Sequence, residues 1–128
     1  MLMRGVGMKK ISLGEFIINN RHRINLSSRQ LALLCNITPP YLNDIEKNKR
    51  TPSFEVLNSL AHNLQLQEEE IYKMFDLAAS GRNGKVSYDI SEYIMENANL
   101  RKCIRKAIKC RDNSIWDKLL EKKSGGIK

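Results

Sequence analysis

The strongest constraint on this chain is a run of helix punctuation at residues 36–40, Asn-Ile-Thr-Pro-Pro, between two short apolar segments. Asn accepts a left-handed backbone more readily than any residue except glycine, so Asn36 predicts a sharp turn. Thr38 suits a helix cap. Proline sacrifices nothing in the first turn of a helix, where the amides have no internal partners, and its fixed φ already fits the helix. The string therefore ends one helix and rigidly starts another. Before it, "RQLALLC" can be capped by Ser27 or Ser28 and turns Leu31, Ala32 and Cys35 inward. After it, Ile37, Leu42 and Ile45 fall where the second helix packs back on the first.

Similar punctuation organises the rest. Leu13, Phe16, Ile17 and Ile24 make an apolar face over residues 13–24. Asn48 predicts a left-handed helix end, Pro52 prevents continuation, and Ser53 caps "FEVLNSLAHNL". A fifth helix, "EEEIYKMFDLAA", opens on Glu68, Glu69 and Glu70, which suit the positive end of the helix dipole. Glycine-rich "SGRNGK" reads as a linker, followed by short helices at about 88–96, 98–109 and 114–122. No strand signal and no internal repeat is visible. The expected organisation is a flexible arm at 1–10, a five-helix domain at 11–79, a linker at 80–85, a helical extension at 86–123 and a frayed tail at 124–128.

Composition narrows the function. Aromatic residues make up only 6% of the 128, so the core must rest on Leu, Ile, Val and Ala. No apolar run approaches the ~18 residues needed to cross a bilayer, and "MLMRGVGMKK" lacks the apolar stretch of a secretory signal. The expectation is a cytoplasmic protein without membrane contact. Cys35, Cys103 and Cys110 lack metal-ligand spacing and read as reduced core residues. No Ser/His/Asp set, metal cluster or phosphate-cradling glycine loop appears, so neither an enzyme nor a cofactor or metal is expected. The net charge of +8 is segregated. Residues 1–54 hold nine Lys/Arg against three Asp/Glu, 55–81 one against five, and 82–128 twelve against six. Segregated basic surfaces point to a polyanion, most often nucleic acid.

The segment "LSSRQLALLCNITPPYLNDIEKNKRTPS" resembles the helix-turn-helix of the phage repressor and Cro family, also called the Xre family, and with its flanking helices the resemblance covers residues 11 to about 78. It implies an all-α fold: a five-helix lambda-repressor-like DNA-binding domain followed by a short helical C-terminal extension. It also implies that the second motif helix enters the major groove of double-stranded DNA. Pro39, Pro40, Tyr41, Asn43 and Asp44 are the base-facing positions by this resemblance, with two prolines where many members carry polar side chains. Asn43 could then read adenine, and Asp44 could accept from a cytosine amino group. Phosphate contacts are expected from Ser27, Ser28, Arg29 and Thr38 near helix starts, and from Lys47, Lys49 and Arg50 after the second motif helix. Arg21 and Glu46 match a family ion pair that docks two helices.

The resemblance leads to the expectation of a sequence-specific transcriptional regulator, a repressor working as a homodimer on paired half-sites. The extension beyond the linker more loosely resembles helical segments that follow this motif in some regulators of Gram-positive bacteria and their mobile elements. It carries an apolar stripe, Leu100, Ile104, Ala107 and Ile108, opposite Arg101, Lys102, Arg105, Lys106 and Lys109. A core this thin calls for packing on the first domain or a second chain. The alternative is an antitoxin-type autorepressor whose C-terminal helices bind a partner protein.

Overall fold

The computed structural model describes residues 10–81 and 85–121. Residues 1–9 of the expected arm at 1–10, the tail at 124–128 and the centre of the linker lie outside the described residues. All regular structure among the described residues is helical: α1 (Leu13–Arg23), α2 (Ser28–Leu34), α3 (Pro39–Glu46), α4 (Phe54–Asn63), α5 (Glu68–Ser80), α6 (Tyr88–Glu96), α7 (Ala98–Cys110) and α8 (Ser114–Glu121). None of these helices is long and apolar enough to cross a membrane.

The helices are short because side chains cap their starts and left-handed turns close their ends. Ser12 with Glu15, and Ser27 with Gln30, form reciprocal capping boxes that begin α1 and α2. The hydroxyls of Thr38 and Ser53 accept from the Tyr41 and Val56 amides to start α3 and α4. At α5 the Gln67 amide donates to the Glu70 carboxylate at 2.7 Å. The first four helices each end in a residue at positive φ: Asn25 (59°), Asn36 (59°), Asn48 (62°) and Gln65 (57°). In each case the next amide reaches back five residues. Leu26 bonds the Arg21 carbonyl, Ile37 that of Ala32, Lys49 that of Asp44 and Leu66 that of Ala61. Leu26, Ile37 and Leu66 also tuck against the core, so each turn steers chain direction and burial together.

The chain divides into two compact units, with the boundary between Asp89 and Ile90. In the first, α3 packs on α1 and α2, while α5 packs on α1 and α4. Ile17, Leu31, Ala32, Leu42, Ile45, Leu57, Leu60, Leu64 and Met74 are completely buried between them. The boundary lies later than the linker read from glycine content. The reason is that the Ser87 hydroxyl donates to the Phe75 carbonyl and the Tyr88 ring stands edge-on to Phe54 at 6.2 Å, joining a Phe54–Phe75 pair at 5.8 Å. These contacts hold residues 87–88 to the first unit.

In the second unit no described residue is buried. Of the three cysteines only Cys35 is in the core, where burial pushes its thiol pKa up; Cys103 and Cys110 are exposed. This corrects the expectation that all three are core residues. The amphipathic stripe of α7 has too little protein around it to bury its flanks.

A chain ending after Ile90 should unfold at higher urea concentration than one ending at Gly84. The difference should be on the order of 1 kcal/mol, the worth of an aromatic contact beyond its area. Equal midpoints would mean that Ser87 and Tyr88 add nothing to the first unit.

Candidate nucleic-acid interface

The candidate surface is built on α3. Leu42, Ile45 and Glu46 face inward, which leaves Pro39, Pro40 and Asn43 exposed and Tyr41 and Asp44 half-buried. The amides of the first turn are all accounted for. Pro39 and Pro40 have none, Tyr41 donates to the Thr38 hydroxyl at 3.2 Å, and Leu42 donates to the Thr38 carbonyl at 3.1 Å. The first turn of α3 thus offers no free backbone amide, and its two leading side chains are hydrocarbon.

The other end of α3 is fixed at two points. Arg21 of α1 grips Glu46 with both prongs of its guanidinium, Nε to Oε2 at 2.9 Å and Nη2 to Oε1 at 3.1 Å. The Arg21 Nη1 also donates to the Leu26 carbonyl at 3.2 Å, which ties in the α1–α2 turn. The two side chains are only 11% and 7% exposed, so little water is available to replace a lost partner. A planar fork matched to a carboxylate sets angle as well as distance.

The second fixing point is Asn48, in the left-handed turn that ends α3. Its Oδ1 accepts from the Gly14 amide at 3.0 Å, and its Nδ2 donates to the Ser12 hydroxyl at 3.0 Å. Gly14 allows this approach because a Cβ there would lie 2.1 Å from the Glu46 carbonyl oxygen. Ser12, Gly14 and the Asn48 side chain were not singled out from the sequence. Signals were present: Ser12-x-x-Glu15 is a capping-box pattern, and a lone glycine inside a helical pattern often has a packing reason.

Lys47, Lys49 and Arg50 are all exposed on the loop after α3. The Arg50 guanidinium lies over the Tyr41 ring, 5.1 Å from its centroid, so one loop cation is held beside α3. Asp44 forms no ion pair with these cations among the described residues. At the start of α2, Ser27 is the cap, with its Oγ accepting from the Gln30 amide at 3.0 Å; Ser28 is half-buried and Arg29 exposed. Leu33 on the same helix is 80% exposed.

Residues 20–71 match the HTH_3 helix-turn-helix family. Two uncharacterized HTH-type transcriptional regulators of Mycobacterium tuberculosis, from strains CDC 1551 / Oshkosh and ATCC 25618 / H37Rv, are each 37% identical to this chain over 59 residues. That stretch is 46% of this chain and 42% of each relative, so the chain spans less than half the length of the curated relatives it matches. The crystal structure of the clp gene regulator ClgR from Corynebacterium glutamicum is similar at a TM-score of 0.46 and 24% identity, over 64% of this chain and 85% of that one.

Replacing Asn48 separates its two roles. Asn48→Gly keeps the turn and relieves its φ, but removes both side-chain hydrogen bonds, each worth about 0.5–1.5 kcal/mol. It should lower stability, and Asn48→Ala should lower it further by roughly 1 kcal/mol through backbone strain. A glycine variant as stable as the parent in urea unfolding would reduce Asn48 to a turn residue.

Proposed function

We propose that this protein is a sequence-specific double-stranded DNA-binding transcriptional regulator, acting as a repressor, because residues 20–71 match the helix-turn-helix family. The observation that carries the reading is α3. Its outer face is free, and its inner face is locked by Arg21–Glu46 and by Asn48. A groove-reading helix needs that rigidity, because base readout depends on side chains held within hydrogen-bonding tolerance.

In this proposal Pro39, Pro40, Tyr41, Asn43 and Asp44 face the bases. The prolines supply apolar contact, as to a thymine methyl, and no polar side-chain atom. Hydrogen-bonded discrimination then falls to Asn43, Asp44 and Tyr41. Ser27, Ser28, Arg29, Thr38, Lys47, Lys49 and Arg50 meet phosphates and fix register without reading sequence. Exposed loop cations and the Arg50–Tyr41 stack support that division. Two copies of the chain would occupy the two halves of a palindromic operator. Selection of bound duplexes from a random pool tests all of this: a palindromic consensus is expected, and failure to enrich any sequence would overturn it.

Two variants resolve the division further. Affinity should fall with salt at a log–log slope of roughly −0.9 per phosphate neutralised. Lys49→Ala should weaken every duplex about equally and flatten the slope by about one unit; an unchanged slope would remove Lys49 from the phosphate contacts.

Asp44 brings an unpaired negative charge toward a polyanion. Asp44→Ala should therefore raise affinity for random DNA while lowering preference for the operator. The loss should fall at one base pair per half-site and be on the order of 1–3 kcal/mol. An equal response of operator and random DNA would show that Asp44 reads no base.

A further inference from the structure

The first two helices after the linker divide their charges between them. From Tyr88 to Glu96, α6 carries Asp89, Glu92 and Glu96 and no Lys or Arg. From Ala98 to Cys110, α7 carries Arg101, Lys102, Arg105, Lys106 and Lys109 and no Asp or Glu. Opposite charges on adjacent helices would be expected to pair, yet among the described residues no ion pair joins them. Arg101 donates instead to the Ile94 and Met95 carbonyls at the end of α6.

The apolar faces are equally unfinished. On α7 the spacing places Leu100, Cys103, Ile104, Ala107, Ile108 and Cys110 on one arc, with the cations on the other. Trp116 of α8 reaches this arc and leaves an open groove on each side. One groove, of about 460 Å³, is lined by Ile104, Ile108 and Trp116 among others; the other, of about 230 Å³, by Cys103, Cys110 and Ile115 among others. On α6, Ile90 is 48% and Tyr93 65% exposed.

We propose that this unit is the surface through which two copies of the chain associate, the acidic α6 of each lying along the basic α7 of the other. The unit contains both halves of a complement: an apolar helix edged with acid and an apolar helix edged with base. Related by a two-fold axis, two copies make the same contact twice, as an isologous interface requires. A foreign acidic protein would match α7 but leave the acids of α6 facing it. An anionic lipid surface would meet the same repulsion. The charge pattern is therefore matched best by itself. This rests on the two-copy reading proposed above and gives it a location.

Charge exchange in the full chain tests the proposal. One variant carries Glu92→Lys and Glu96→Lys, the other Arg105→Glu and Lys106→Glu; all four positions are exposed. Sedimentation of the parent at micromolar concentration should give a two-copy mass. Each variant alone should dissociate at concentrations at least about tenfold higher, since like charges then meet across the interface. Mixing the two variants should restore the two-copy mass, because each acidic helix then finds a basic one in the other chain. Restoration only when all four changes sit in one chain, and not on mixing, would mean pairing within a chain and overturn the proposal. So would a monomeric parent, or variants that keep the parent's mass. A parent that is monomeric but captures an acidic peptide would assign the surface to a foreign partner. Duplex binding at low salt, measured on the same samples, reads the DNA-binding proposal separately: a two-copy protein that binds no duplex sinks that reading and leaves the interface standing.

Discussion

The forked contact between Arg21 and Glu46 is the interaction on which the first unit depends. Two nearly buried charges are costly to withdraw from water, and their attraction compensates only when geometry is good and the remaining hydrogen-bonding capacity is met. Both conditions hold here, since two prongs meet the carboxylate and the third nitrogen finds the Leu26 carbonyl. The ion pair thereby joins α1, the turn into α2, and the last residue of α3. Apolar burial alone would tolerate small rotations of α3, because leucine and isoleucine contacts are weakly directional. A fork against a carboxylate does not. Which atoms of α3 face outward follows from that geometry.

Much of the first unit was legible from local chemistry. Thr38 and two prolines could only start a helix, Asn36 could turn the chain, and helical spacing marked Leu31, Leu42, Ile45, Leu57 and Leu60 as core. The positive φ of Gln65 and Arg111 was not legible in the same way. Glutamine and arginine give no turn signal, and the tertiary packing of Leu66 decides for Gln65. The bond from Asn48 to Ser12 and Gly14 joins residues more than thirty positions apart, which no local pattern encodes. The cation–π contact of Arg50 with Tyr41 was missed for a similar reason, since it spans a turn whose path depends on that bond. Cys103 and Cys110 were misread because periodicity reports which residues share a face, not whether anything covers it.

That last point separates the two units. In the first, five short helices each present an apolar face, and each finds others to cover it. In the second, the same kind of pattern is written on α6, α7 and α8, and no described residue there is buried. Amphipathicity in a sequence is a demand for burial; the demand can be met within the chain or outside it. A unit of this size falls below the length at which a single core usually sustains itself. The first unit carries its own caps, core and ion pair, so its fold does not wait on the second.

The proline pair at the start of α3 governs how that helix meets water. An ordinary helix start exposes amides that hold oriented solvent, and any surface that docks there must strip those molecules away or replace them. At Pro39 and Pro40 there are no amides to hydrate, and those of Tyr41 and Leu42 are already occupied. The two proline rings themselves can order only the loosely bound water that surrounds hydrocarbon. Releasing such water is driven by entropy near room temperature and lowers the heat capacity of the complex. Contact made through this tip should therefore gain strength on warming and lose it on cooling.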